Sequence, residues 1–493
     1  MAVKQPNMKA ADSPIVMKAG DTAARETAAR KAVEATINET PEVAAALAAR
    51  GIPATYDANN RAYVELAGTT DEIHAIGEYL TSYQPARNAF LNALVNRIGL
   101  TIVTSKLYRN PWAVFKRGYL EFGDTIEEIF VNLADVHGFY PEGAEDTFAK
   151  RELPDVRTAF HRMNFQKFYK TTVSSQQLRQ AFLSWTGVSD LIARIIESLY
   201  TSANTDEYYV MRYFLAKCLL NGYIGSVEIP AITKDNAVDI ATQFQYMSDL
   251  FQYQSTKYNM AGVTTHTDFE DQYFIVTAKF KATMNMNVLA TAFNLEYREF
   301  QARMITVDTF TDFDWVRMDA LFTDPATGHL DPNYHRFTKP EIELLETVPA
   351  VLVSRDWWMV LDNYVESAQW FNGEGLYWNH WHHVWKTISC SPFGQAAAFT
   401  PTAPAIASVT VAPVTATLSK GADLQLNAAV VGTGIVNQGV QWTVTGGTAS
   451  GTTVTNGGYL HVAANETATT LTVTATSIQD GTKTGESTIT VAA

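Results

Sequence analysis

Cysteine is nearly missing: Cys218 and Cys390 are the only two in 493 residues. That excludes a disulfide framework and a CxxC metal knuckle, and it predicts two free thiols in a reducing cytoplasm. No apolar run approaches the ~20 residues that a membrane helix needs. The start, MAVKQPNMKAADSPIVMKAGD, has no apolar h-region, so neither a membrane span nor a signal peptide is expected. Basic residues are the minority, 37 Lys and Arg against 51 Asp and Glu, for a formal net charge of −14. Such a balance works against a tight grip on nucleic-acid phosphates, which needs basic patches to release counterions. DNA beside this protein would be enclosed, not gripped. Also absent are GxSxG, HExxH, a P-loop and a helix-opening GxGxxG.

What is there is apolar and aromatic, 46% hydrophobic and 12% Phe, Trp and Tyr, on a chain long enough for two or more domains. The first forty residues are Ala-rich and charged, and read as a solvated arm or helix. Asp21 is a candidate cap, Glu26 and Arg30 stand at i,i+4, and Arg25, Arg30 and Lys31 offer charge to an acidic partner. From residue 41 the pattern is globular. PEVAAALAARG reads as a helix stopped by Gly51, RAYVELAG as a strand, and TTDEIHAIGEYLTSY as a helix with Thr70 as candidate N-cap. Residues 118–151 mix strand-like fragments with acids and suit a two-stranded excursion from the body. Residues 184–222 carry the strongest helical period, either one bent helix or two in series with Asn204 or Thr205 capping the second. Residues 309–340 are polar and punctuated by proline. Beyond AAAFTPTAPAIASVTVAP come roughly seven short alternating strands with Gly, Asn and Asp turns, the pattern of a β-sandwich.

The loudest chemical signal is GLYWNHWHHVWKTIS. On a strand, His380 and His382 share a face and His383 takes the other. An HxH pair can begin a zinc site, but a catalytic zinc wants three protein ligands and a structural one four. Cys390 shares the parity, yet eight residues at ~3.3 Å place it some 26 Å from His382 along a straight strand. Glu374 is similarly distant from His380. The plainer reading is an aromatic strand whose Tyr377, Trp378, Trp381 and Trp385 fill two layers.

Taken in order, NALVNRIGL, GDTIEEI, KRELPDVRTAFHRMNFQKFYKTTV, QAFLSW, NVLATAFN, VLVSRDWWMVLDNY and GLYWNHWHHVWKTISCSPF resemble the major capsid proteins of the phi-29 group of small podophages. VQWTVTGG, GYLHV and LTVTATSIQDGTKTG resemble a bacterial immunoglobulin-like group-2 domain. The resemblance implies an α+β chain with the Hong-Kong-97-type phage capsid fold, followed by an all-β immunoglobulin-like sandwich. It divides the chain into an arm (1–40), a capsid domain (41–398), a linker (399–408) and the sandwich (409–493). Within the capsid domain it implies an extended loop lying over a neighbouring subunit (about 112–160) and a spine helix (about 185–222). An axial domain (about 225–345) and peripheral-domain strands (about 346–398) follow. Residues 309–340 look like an insertion.

The implied function is self-assembly into hexamers and pentamers that form an icosahedral or prolate head around double-stranded DNA. No catalytic residue, cofactor or metal is implied. Expected partners are other copies of the chain, a scaffolding protein and a portal, with host-surface contact through the C-terminal domain and none with a membrane. The virion is the expected location, after assembly in the host cytoplasm. Glu127, Glu128, Arg151, Arg157 and His161 are the candidates for intersubunit contact, with structure inside the subunit as their alternative role. A zinc-dependent hydrolase with an accessory sandwich, a surface adhesin and a bacterial nanocompartment shell are the competing readings.

Overall fold

Val33 and Ile37 stand one helical turn apart and are fully buried, so the segment expected to be a solvated arm carries core residues. The computed structural model describes residues 22–82, 110–120, 125–134, 155–174, 197–233, 235–284 and 303–492. The chain divides into two compact units, one of residues Met1–Asn110, Phe165–Tyr208 and Asp362–Lys386, the other of Pro111–Asn164, Tyr209–Leu361 and Thr387–Ala493.

In the first unit, helices Thr22–Glu39, Pro41–Ala48 and Thr70–Ser82 surround the hairpin Ala54–Tyr56/Ala62–Val64. Val33, Ile37, Leu47, Ile73, Ile76 and Leu80 share one core with Trp378. The boundary expected after residue 40 falls between two helices that share this core. Asn38 explains part of this: its side-chain amide donates to the Val64 carbonyl at 3.0 Å and accepts the Val64 N–H at 2.7 Å, replacing a missing strand neighbour. Arg30 donates to the Ala67 carbonyl at 2.6 Å rather than reaching toward an acidic partner. The N-cap of Thr70–Ser82 is Thr69, not Thr70. Its hydroxyl accepts from the Glu72 N–H at 3.3 Å, and the Glu72 carboxylate accepts back from the N–H groups of Gly68 and Thr69. Burial pushes the Glu72 carboxyl up, but those backbone bonds outweigh it and hold it below the ordinary range.

The same unit contains strand Phe165–Ser174 and strand Tyr377–Cys390 as far as Lys386, paired antiparallel with His380 opposite Thr171 and His382 opposite Tyr169. Helix Ser202–Leu220 follows a π-turn at Glu197–Thr201. Asn204 and Thr205 lie inside this helix, beyond its first residue. The Thr205 hydroxyl donates back to the Thr201 carbonyl at 2.7 Å, a use of threonine that leaves the helix continuous.

The second unit is organised by a five-stranded sheet in the order Gly225–Glu228, Ala396–Thr400, Ala350–Ser354, Gln272–Thr277, Met304–Val307. Every residue of Ala350–Ser354 and Ala396–Thr400 is buried, as continuous apolar strands covered on both faces should be. Helix Ala237–Phe251 covers one side, setting Phe244 against Phe399 at 4.2 Å and Phe274 at 5.3 Å. Ala350–Ser354 pairs with Gln272–Thr277 residue for residue, so sequence on both sides of residue 345 makes one sheet.

Residues 309–340 are equally integrated. Helix Trp315–Phe322 and the buried Phe310, Phe313, Tyr334 and Phe337 enclose Tyr213, whose ring stacks on Phe337 at 5.1 Å. Arg212, almost fully buried, donates to the Asp308 carboxylate and the Asp312 carbonyl, and lies 4.2 Å over Phe313. The stretch expected to be an insertion is thus packed by its aromatics against the long helix.

Residues 405–492 are all β. Ala405–Ala412 pairs with Asn427–Thr433; Thr415–Ser419, Thr484–Ala492, Thr470–Ser477 and Val440–Thr445 make a second sheet; Asp423–Gln425, Tyr459–His461 and Thr453–Val454 make a third. Strict alternation along Thr470–Ser477 and Thr484–Ala492 points Leu471, Val473, Ala475 and Ile489 into one core with Trp442, Val430 and Leu460. This region is seated on the sheet before it. Gln438 N–H donates to the Gly222 carbonyl at 2.8 Å and the Ser226 hydroxyl to the Ile435 carbonyl at 2.7 Å. Gly222, at φ +69°, has the Val436 carbonyl 2.4 Å from where a Cβ would stand, so both its backbone conformation and this approach require glycine. The expected linker at 399–408 therefore holds the end of one strand and the start of another.

Candidate assembly surface

Strands Thr125–Val131 and Val156–Arg162 form a two-stranded ribbon, with Ile126 opposite His161, Glu128 opposite Ala159 and Phe130 opposite Arg157. Alternation gives it two faces. The inner face is tied to its own chain. His161, 4% exposed, places Nε2 3.1 Å from a Glu128 oxygen and Nδ1 2.7 Å from the Ser389 hydroxyl. The other Glu128 oxygen accepts from the Ser391 hydroxyl at 3.0 Å, and Phe130 stacks on Phe393 at 5.4 Å. Arg157 pairs with Asp155 at 3.0 Å and donates to the Ala261 carbonyl. Burial pushes the Asp155 carboxyl up, but hydrogen bonds from Arg157 and Asn132 hold it low.

Of the five contact candidates, Glu128, Arg157 and His161 are thus engaged inside the subunit. Their sequence signal was charge, and charge beside a ribbon serves its base as readily as a neighbour. Glu127 is exposed on the outer face. Arg151 lies outside the described residues. What sequence reasoning missed is the outer face itself. Ile129, Val131, Leu133, Val156 and Phe160 are 48% to 60% exposed, a line of apolar side chains facing solvent. The signal was available: they share strand parity with Glu127, opposite to Glu128 and His161. A contiguous exposed apolar patch of this kind marks an association surface.

The histidine strand makes no comparable surface. His380 and His382 share the buried face, as their spacing predicts, and Trp378 joins the core described above. His382 Nδ1 lies 3.1 Å from the Ser367 hydroxyl, and its ring is 4.5 Å from Tyr200. Neither ring nitrogen of His380 has a hydrogen-bond partner among the described residues. No cluster of three ligating side chains occurs among them either. Burial lowers the pKa of His380 to about 4; burial, then the neighbouring His383, does the same for His382.

Both rings are therefore neutral in the fold, which sets a direction for pH. A folded pKa near 4 against the ordinary 6.5 means full stability above 6.5, lost progressively as pH falls toward 4. Each ring contributes up to about 1.4 kcal/mol per pH unit in that window. Thermal midpoints measured from pH 7 to pH 4.5 should fall in the native protein and fall less steeply in His380→Phe. Identical slopes would remove His380 from the account.

A family model described as the Phi29-like phage major capsid protein matches residues 54–400. The chain belongs to that family. Its function is that of a phage major capsid protein, a structural component of the virion and not an enzyme. The major capsid protein of Bacillus phage B103 is 34% identical over 415 residues, covering 83% of this chain and 85% of that one. The major capsid protein of Bacillus phage PZA is 31% identical over 433 residues, with 84% and 88% covered. Among solved structures, a chain of the Staphylococcus phage Andhra capsid is similar with TM-score 0.49 and 16% identity, over 62% of this chain and 87% of that chain. Family membership places the outer ribbon face on a protein whose task is to join copies of itself. The hydrolase and adhesin readings find no support.

Proposed function

We propose that this chain builds a phage head by associating into hexamers and pentamers around double-stranded DNA. The observation that carries the reading is the ribbon. Its inner face is fastened to its own subunit while its outer apolar face is left uncovered, which suits an extended loop laid over a neighbour. One subunit must meet five-fold and six-fold neighbours through similar contacts, and a projecting ribbon on a rigid base allows the small differences this needs. Contacts that are weak singly suffice, because closure of a shell multiplies them. The net charge of −14 suits a container whose wall should release the genome it holds.

The Hong-Kong-97-type fold belongs to the same reading. The long helix serves as spine, the ribbon as extended loop and the five-stranded sheet as a central platform. Residues 405–492 are read as an immunoglobulin-like sandwich, on the strength of short alternating strands around one apolar core. A scaffolding protein and a portal complete the set of partners, and assembly takes place in the host cytoplasm.

Sedimentation velocity of the purified chain, alone and co-expressed with its phage's scaffolding protein, tests the proposal. Pentamers, hexamers or shell-sized particles are expected in at least the co-expressed sample. A 54.5 kDa monomer in both would overturn it.

A further inference from the structure

The two cysteines, 172 positions apart in sequence, are neighbours in space: the Cys218 carbonyl accepts the N–H of Tyr223 at 2.9 Å, and Tyr223 and Cys390 line one cavity. Independent contacts place them there. Cys218 lies one turn beyond Phe214 on helix Ser202–Leu220, and Phe214 packs against Trp357 at 6.3 Å. The Trp357 carbonyl accepts the N–H of Ser391 at 2.7 Å, which fixes the residue next to Cys390 on the same corner. Cys218 is buried and Cys390 half-exposed. Beside Cys390 opens a cavity of about 200 Å³ lined by Tyr223, Met260, Trp357, Cys390, Ser391 and Pro392. Cys390 thus borders space that a small reagent can enter, while Cys218 is buried and does not line that space.

We propose that Cys218 and Cys390 are a thiol pair poised to close as a disulfide, joining the end of the long helix to the end of strand Tyr377–Cys390. The co-reactant is a small disulfide. The Cys390 thiolate attacks one of its sulfurs, forming a mixed disulfide and expelling one small thiolate, which takes up the proton that Cys390 lost. Cys218 then gives up its proton and attacks the Cys390 sulfur, expelling the second small thiol. Two protein thiols and one small disulfide become one protein disulfide and two small thiols. The order follows from access and from burial, which pushes the Cys218 thiol well up and makes it the slower nucleophile. Reducing conditions in a host cytoplasm keep the pair open, and oxidising surroundings after release close it. The closed pair constrains a loop of 172 residues and makes the subunit harder to unfold. The chemistry stands on the pair itself, whereas this timing rests on the shell function proposed above.

Cystamine is the probe. The full-length chain is treated with it, unfolded in an alkylating agent without reductant, and mapped by peptide mass. The expected product lacks two hydrogens, links the Cys218 peptide to the Cys390 peptide, reverts with dithiothreitol and melts at higher temperature than the reduced chain. Cys218→Ser should stop at a single cysteamine adduct on Cys390. Recovery of a stable adduct on Cys390 with Cys218 still alkylatable in the native sequence, or of both thiols unmodified, would overturn the pair. Particles alkylated during host lysis should carry free thiols and particles from clarified medium the disulfide. Equal thiol content in the two would overturn the timing and leave the chemistry standing.

Discussion

Replacing Lys386 with methionine is expected to destabilise the protein by about 3–5 kcal/mol, the cost of leaving buried charge without its partner. Lys386 is 6% exposed and contacts two acids, the Glu207 carboxylate and Asp362 at 2.9 Å. Glu207 is itself 2% exposed, and its other oxygen accepts from the Asn110 amide at 2.7 Å. Methionine fills nearly the same volume, so the loss reports on charge and not on packing. The Glu207 carboxylate, 2% exposed, would be left without its cationic partner. For a unit of this size the loss corresponds to a fall in the thermal midpoint on the order of 10 °C. Adding Glu207→Gln to Lys386→Met should recover much of it, because a neutral pair avoids the desolvation that the ion pair only offsets. Differential scanning calorimetry of the single and double variants decides the matter. A single variant within 1 kcal/mol of the native protein would show that the lysine is not holding these acids.

Aspartate at both Ile129 and Phe160 is expected to abolish shell formation while leaving the subunit folded. Both side chains are about 60% exposed, so the substitutions remove little that the monomer buries. In an assembled interface they would contribute on the order of 1.5–3 kcal/mol each from apolar burial. A carboxylate in their place must also be desolvated. Losses of this size recur at every copy of the contact, so assembly should fail outright and not merely weaken. Circular dichroism and thermal melting should match the native chain, while sedimentation velocity shows no large species. Normal particles from the double variant would exclude the outer ribbon face as an assembly surface. As a contrast, Glu128→Gln touches the inner ties to His161 and Ser391, and should lower the melting temperature before it affects association.

Which residues point inward was legible in the sequence wherever one periodicity ran uninterrupted. His380 and His382 share a face because side chains alternate along any strand. Alternation also gave the inward set of Thr470–Ser477 and Thr484–Ala492, and it separates the two faces of the ribbon. Composition excluded a disulfide scaffold and the common catalytic motifs, and the order of motifs carried the resemblance to phage capsid proteins.

Only the tertiary structure decided what those inward faces meet. The charged, alanine-rich start contributes Val33 and Ile37 to a core whose other members lie as far away as Trp378. Thr309–Pro340 looked like an insertion, and a local reading could not show that Tyr213 meets Phe313, Tyr334 and Phe337. Lys386 and Glu207 look like solvated charges when read along the chain, since nothing local records that each finds an opposite charge 179 residues away. Cys218 and Cys390 looked like isolated thiols for the same reason. Periodicity fixes the direction of a side chain relative to its own backbone, while partners across long sequence separations are set by how the elements pack.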